Sequence, residues 1–252
     1  MAGDPFYDDM VLLWRGNNGF VDESDSGLTL TPQQGYDNPA YNAGGWAWVE
    51  GKFPGTTAGK LQGNRPRISI GASLLNGATA FTLEAWVNSG TSATGSRWIA
   101  AQNSWGVASS FGLYISHLNG VSVAYKPGST TYSLAQGNNP PNNTWVHVAW
   151  TRSGGTHYLF IDGILKSSGA VSGTMGAETM YIGQNSTSSG LNSHIIDDFI
   201  VYNKAIYTSN FTPRTMEPPT YQLNDKLIPR KELQHRQPTR LNQNYFIHRT
   251  GL

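Results

Sequence analysis

Cysteine is absent from this 252-residue chain. There is therefore no disulfide staple, no thiolate metal site and no cysteine nucleophile, and the fold must hold by core burial. Charge is scarce as well: charged residues make up 13%, about half the ~25% of an ordinary soluble domain. That excludes a disordered chain, which needs high charge and few aromatics, and here aromatics reach 12%. It equally excludes coiled coils and helical repeats, which are rich in Ala, Glu, Lys, Leu and Arg. No apolar run approaches the ~20 residues of a membrane span. The opening Met-Ala-Gly-Asp-Pro-Phe-Tyr-Asp-Asp is acidic and has no apolar h-region, so no secretory signal is expected.

Against these absences stand 29 Gly, 13 Pro and 8 Trp, and a net charge of +1 that is unevenly spread. Residues 1–37 sum to −6, residues 38–214 to +4 and residues 215–252 to +3. An acidic head and a basic tail suit each other within or between subunits, and two solvated ends are the competing reading.

Period-two alternation dominates the chain. Phe81-Thr-Leu-Glu-Ala-Trp-Val87 places Phe81, Leu83, Ala85 and Val87 on one face. Trp145–Thr151 does the same with Val146, Val148 and Trp150, and His157–Ile161 with Leu159 and Ile161. Further strands are expected at Met10–Trp14, Arg67–Ile70, Trp98–Ala101, Phe111–Ser116, Val121–Tyr125, Ile164–Ser168, Thr179–Ile182 and Ile195–Tyr202. Asp162-Gly163 and Asn119-Gly120 read as two-residue hairpin turns of type I′, which need positive φ twice. No long amphipathic helix is visible before residue 224. The expected fold is all-β, a two-sheet antiparallel jelly roll over residues 10–214, with a short N-terminal segment 1–9. Residues 215–252, punctuated by Pro218, Pro219, Pro229 and Pro238, read as an extended basic arm that cannot build its own core.

Phe81–Val87, Asn143-Thr-Trp-Val-His-Val-Ala-Trp-Thr-Arg152 and Tyr158-Leu-Phe-Ile-Asp-Gly163 together resemble the laminin-G-like jelly roll of the concanavalin A-like lectin/glucanase superfamily. Met180-Tyr-Ile-Gly183 and Ile196-Asp-Asp-Phe-Ile-Val-Tyr-Asn203 resemble its closing strands. Asp4–Leu13 with Asp25-Ser-Gly27, and Ala205-Ile-Tyr-Thr-Ser-Asn-Phe-Thr-Pro213, are similar to versions carried by tailed bacteriophages. That last resemblance implies a virion component.

The resemblance includes glycosidases, whose chemistry needs two carboxylates facing one cleft. No expected strand carries Glu-x-Asp; Glu84 stands alone, and the adjacent Asp197 and Asp198 should point to opposite faces. Glu23 and Asp25 have the spacing but sit in a Ser/Gly loop. His117, His147, His157 and His194 fall in expected strands, as packing residues and away from any nucleophile elbow. No enzyme is expected. The superfamily's lectins and pentraxins hold Ca²⁺ in loops, and Asp22, Glu23 and Asp25, with Asp37 near in sequence, are the candidate ligands; an Asx turn is the preferred reading of that loop. Trp46, Trp48, Trp105 and Tyr132 fall in or near Asn/Gly/Ser loops and are the candidate glycan-binding residues, whereas Trp86, Trp98, Trp145 and Trp150 read as core.

Six basic residues diluted by three acids make the tail a poor nucleic-acid arm, and no membrane partner is expected. Its apolar and basic residues, Leu227, Ile228, Arg230, Lys231, Arg236, Arg240, Tyr245 and Phe246, suit a partner groove instead. The expected function is a non-enzymatic structural protein of a tailed-phage virion surface: a homo-oligomeric capsid decoration or cement protein, bound through the arm to the major capsid protein or a tail component. The alternative is a carbohydrate-binding receptor module of a tail or tail fibre, recognising a host glycan.

Overall fold

The computed structural model describes residues 5–216, apart from 18, 34–44, 65, 72, 91–95, 105–106 and 185–190. These residues belong to the first of two units, Met1–Pro219 and Thr220–Leu252. The arm residues Leu227 to Phe246, together with Trp105 and Asp37, lie outside the described residues.

A 3-10 turn, Tyr7–Asp9, precedes β1 (Met10–Trp14), β2 (Thr31–Gln33), β3 (Trp46–Glu50), β4 (Thr57–Asn64) and β5 (Arg67–Ser69). The chain continues through β6 (Ala80–Asn88), β7 (Ser96–Gln102), β8 (Ser110–Ser116), β9 (Gly120–Lys126) and β10 (Tyr132–Ala135). It closes with β11 (Trp145–Ser153), β12 (Thr156–Ile161), β13 (Ile164–Ala170), β14 (Met180–Gly183) and β15 (Leu191–Tyr202). The first sheet runs β13-β12-β11-β6-β15-β4-β3, with β1 also on β15; the second runs β10-β9-β8-β7-β14-β5-β2. Every pairing between these strands is antiparallel. This is the all-β sandwich that the alternation implies.

Facing residues of the two sheets merge into one core. Phe81, Leu83, Val87, Val146, Val148, Trp150, Leu159 and Ile161 meet Phe111, Leu113, Ile115, Val121, Val123 and Tyr125 there. Trp150 is fully buried, with ring centroids 4.8 Å from Phe81, 5.2 Å from Phe111 and 5.6 Å from Tyr125. A second, smaller cluster lies on the outward face of the first sheet, where Met10, Leu13, Ile200 and Tyr202 gather Phe6, Tyr7 and Ile206.

That outward face is covered by a strap following β15. Its Asn203 N–H donates to the Asp9 carbonyl (3.0 Å), Ile206 N–H to Thr82 Oγ1 (2.9 Å) and Phe211 N–H to the Gly163 carbonyl (2.9 Å). Tyr207 and Phe211 stack on each other against Phe160. The β12–β13 turn has the expected two positive φ values, Asp162 at 51° and Gly163 at 75°. Gly163 is obligatory, because a Cβ there would run into the Phe211 carbonyl.

Several expectations are corrected. Trp46 and Trp48 lie in β3 and Tyr132 opens β10, so none of the three is a loop residue. His117 is in the β8–β9 turn rather than a strand. That turn spans three residues between paired Ser116 and Gly120, and Gly120 alone has positive φ, which is a bulged hairpin and not type I′. Trp86 and Trp145 are half-buried instead of core. Asp198 takes a φ of 45° where the β15–β6 register shifts, and this bulge buries both Asp197 and Asp198.

Burial pushes His157 and His194 down to about 4, with the Arg152 and Arg97 charges adding to the effect; His194 keeps a 2.8 Å hydrogen bond to the Trp98 carbonyl. An unfolded imidazole takes its proton below pH 6.5, whereas these folded ones resist until about 4. Stability is therefore full above pH 6.5 and falls as acid is added through that window. At pH 5 the fully buried His194 should cost about 2 kcal/mol relative to neutral pH, and His157 less. Urea unfolding at pH 7.5 and pH 5 measures the difference, and equal midpoints would contradict it.

Candidate functional site

Strand alternation turns Glu84 and Trp86 of β6 outward, away from the main core. Trp86 is flanked in register by His147 of β11 and Asp197 of β15. Asp197 is fully buried, and its Oδ2 accepts the Lys52 backbone N–H at 2.8 Å. That bond pins the β3–β4 loop, which Gly51 N–H and the Thr56 carbonyl close at 3.0 Å. A side chain at Gly51 would strike Thr56 Oγ1 and the Asp197 carboxylate. The pinned loop sets Phe53 edge-on to Trp86, with centroids 6.1 Å apart, and places the Lys52 ammonium 4.3 Å from the indole centroid. On the other side, Asp162 Oδ1 accepts the His147 backbone N–H at 2.8 Å, while the residue itself stays exposed. Thr212, Pro213, Arg214 and Thr215 of the strap complete a cleft of about 410 Å³ around Trp86.

Beneath this cleft lies a buried polar cluster. Glu84 is 1% exposed; its Oε1 accepts from the Arg214 guanidinium and from the Tyr202 hydroxyl (3.3 Å). Arg214 also donates to the Tyr202 oxygen at 3.0 Å. Burial pulls the Arg214 guanidinium down, but Glu84 and Tyr202 outweigh it and hold it above its ordinary value. His147 Nε2 stands 3.7 Å from Glu84 Oε2. Burial lowers the His147 imidazole despite that carboxylate, so at neutral pH it is uncharged. Glu84 and Asp197 are thus closed off under the floor, and Asp162 is the carboxylate that the lining offers to a ligand.

The sequence-derived candidates do not converge here. Trp46 and Trp48 face Trp14 and Phe20 at the β3 edge of the first sheet, with Trp48–Phe20 centroids 5.3 Å apart and Trp48 39% exposed. Tyr132 is on the second sheet, its hydroxyl 2.5 Å from Ser172 Oγ. Asp22 Oδ1 accepts the N–H groups of Leu13 (3.1 Å) and Ser24 (2.9 Å), and Oδ2 that of Leu28 (2.8 Å). Glu23 lies 3.5 Å from Arg15 Nε. Among the described residues no group of three or more His, Asp or Glu is arranged to hold a metal. Sequence reading missed Trp86, Lys52, Asp162 and Arg214. The phase of β6 could have found Trp86, since Phe81, Leu83, Ala85 and Val87 already occupy the inward face.

The laminin-G-type family model of the concanavalin A-like lectin/glucanases superfamily matches residues 62–209, more than half of the chain, so the chain belongs to that family. Among solved structures it is similar to domain 4 of AbnA, a GH43 extracellular arabinanase from Geobacillus stearothermophilus, in complex with arabinotriose. The TM-score is 0.64 at 19% identity, covering 79% of this chain and 94% of that one. It is also similar to the binding domain of Paraclostridial Mosquitocidal Protein 1 (TM-score 0.61, 13% identity, 80% and 50% covered). The binding domain of botulinum neurotoxin DC in complex with SialylT gives a TM-score of 0.57 at 14% identity, with 80% and 49% covered. The chain spans about half the length of these two toxin domains. Such identities establish a shared fold. No curated protein matches the chain.

Removing one partner of a buried ion pair strands the other. Arg214→Met should therefore cost about 3–5 kcal/mol. The double variant Glu84→Gln, Arg214→Met should recover a large part of that loss. Urea denaturation of the three proteins checks this, and equal stability of the single and double variants would contradict it.

Proposed function

We propose that this protein is a non-catalytic carbohydrate-binding module whose sugar subsite is the cleft over Trp86. The observation that carries the reading is a half-buried indole in a cleft of about 410 Å³, ringed by Lys52, Asp162 and Arg214. A flat indole stacks on the C–H face of a sugar ring, and a few fixed charged groups meet its hydroxyls. Two buried carboxylates are committed to holding this arrangement: Asp197 fixes the loop carrying Lys52 and Phe53, and Glu84 fixes the strap. Glycoside hydrolysis needs a pair of accessible carboxylates, and among the described residues the cleft lining presents Asp162 alone. The arabinanase domain solved with arabinotriose shares this fold over 94% of its length, which supports a sugar as the ligand class.

A screen of neutral oligosaccharides that includes arabinotriose tests the reading. Trp86→Ala should weaken binding about tenfold or more, the loss of ~1.4 kcal/mol or more. Trp48→Ala should leave it unchanged. The reverse pattern would move the site to the ledge of Trp46 and Trp48.

The setting we propose is the surface of a tailed-phage virion, with the jelly roll as a decoration or cement subunit. The described residues of the two segments that resemble phage versions, 5–13 and 205–213, meet on the outward face of the first sheet. There Lys204 Nζ lies 2.9 Å from Asp9 Oδ2 and Ile206 packs against Met10 and Tyr202. A chain lacking residues 217–252, with Arg214 retained, should stay folded and β-rich yet fail to bind capsid or tail components. Full occupancy of particles by that shortened chain would contradict an attachment role for the arm.

A further inference from the structure

Beyond the reading already given, the described surface offers two apolar ledges and the charges of the Trp86 cleft. The ledge of Trp46, Trp48 and Phe20 shows nothing that would choose its occupant. The exposed β13 edge, with Ile164 and Leu165, is in the same position. The charge arrangement around Trp86 carries further, because it bears on which sugar the cleft accepts.

Arg214 donates to the buried Glu84, so its positive charge is balanced within the protein. Lys52 and Asp162 remain, one cation and one anion in the described lining of the cleft, Lys52 with its ammonium 4.3 Å from the indole centroid and Asp162 on the His147 side. Asp162 Oδ1 is engaged by the His147 backbone N–H, which fixes the carboxylate and leaves Oδ2 for a ligand. His147 contributes no charge, and Asp197, buried beneath the Lys52 amide, adds no attraction for an anion.

Sugar hydroxyls both donate and accept. One hydroxyl of a bound sugar can donate to Asp162 while another accepts from the Lys52 ammonium, with a C–H face on Trp86. An acidic sugar gains from Lys52 about what it loses to Asp162, and must also shed the hydration of its own charge. We infer that the Trp86 cleft selects neutral, hydroxyl-rich sugars over acidic ones and that Asp162 sets this choice; the inference rests on the carbohydrate reading above.

Galactotriose and trigalacturonate isolate the charge, since they differ only in the oxidation of C6. Titrating both into the full chain at low ionic strength should show galactotriose bound about tenfold tighter, the weight of the carboxylate desolvation that Lys52 cannot repay while Asp162 opposes it. Asp162→Asn keeps the acceptor oxygen and the left-handed turn conformation while removing the charge. It should weaken galactotriose, strengthen trigalacturonate and erase most of the discrimination. Lys52→Glu, a second route that leaves the turn untouched, should widen the discrimination instead. Equal affinity of the unmodified chain for the two sugars, or discrimination unchanged by both substitutions, overturns the selectivity and leaves the carbohydrate reading in place. Binding of neither trisaccharide overturns the selectivity too. Sugar binding that persists undiminished in Trp86→Ala overturns the site itself, and the inference with it.

Discussion

The pairing of Arg214 with Glu84 is the contact on which the outward face of the first sheet depends. Glu84 belongs to a strand whose other face builds the main core, so its carboxylate cannot reach water without the strand moving. A carboxylate held there needs a cation and further hydrogen bonds. The chain supplies them with Arg214 and Tyr202, 130 and 118 residues along. To deliver Arg214, the segment after β15 must cross the sheet. In crossing, it buries Phe160 beneath the half-buried Phe211, closes over Gly163 and raises one wall of the cleft.

The same economy recurs beside it. Asp197 gives its carboxylate to the Lys52 amide, so a loop that alternation alone would leave loose becomes a fixed arm carrying Lys52 and Phe53. In a chain with 13% charged residues, Glu84, Asp197, Arg214 and His147 gather under one half-exposed tryptophan. The main core needs none of them. Sheet-on-sheet burial of Trp150, Phe81, Phe111 and Tyr125 holds the sandwich, and the polar cluster shapes one face of it.

The sandwich was legible because its central strands are regular. β6, β8, β9, β11 and β12 each set an apolar series on one face, and the structure follows those phases. β2, β3, β4 and β10 escaped for identifiable reasons. β2 has three residues and a proline, β4 is Gly-rich with few β-branched residues, and β3 and β10 sit among Gly, Asn and Ser. Reading Trp46, Trp48 and Tyr132 from their flanks sets them in or near loops, whereas each is anchored in a strand. Trp86 was misjudged in the opposite sense, since a tryptophan in a strand suggests core unless the phase of its neighbours is followed. The cleft was illegible because it joins residues from position 52 to position 215 through two buried carboxylates, and no local pattern announces which long-range partner a lone Glu or Asp will find.

The most direct test of the carbohydrate account uses the tryptophans themselves. The chain has eight, and each contributes one indole N–H resonance that reports on its own surroundings. Nuclear magnetic resonance titration with arabinotriose, with signals assigned by single Trp→Phe variants, should shift the Trp86 indole while those of Trp48 and Trp150 stay in place. Saturating sugar that leaves Trp86 unmoved and shifts another indole would contradict it.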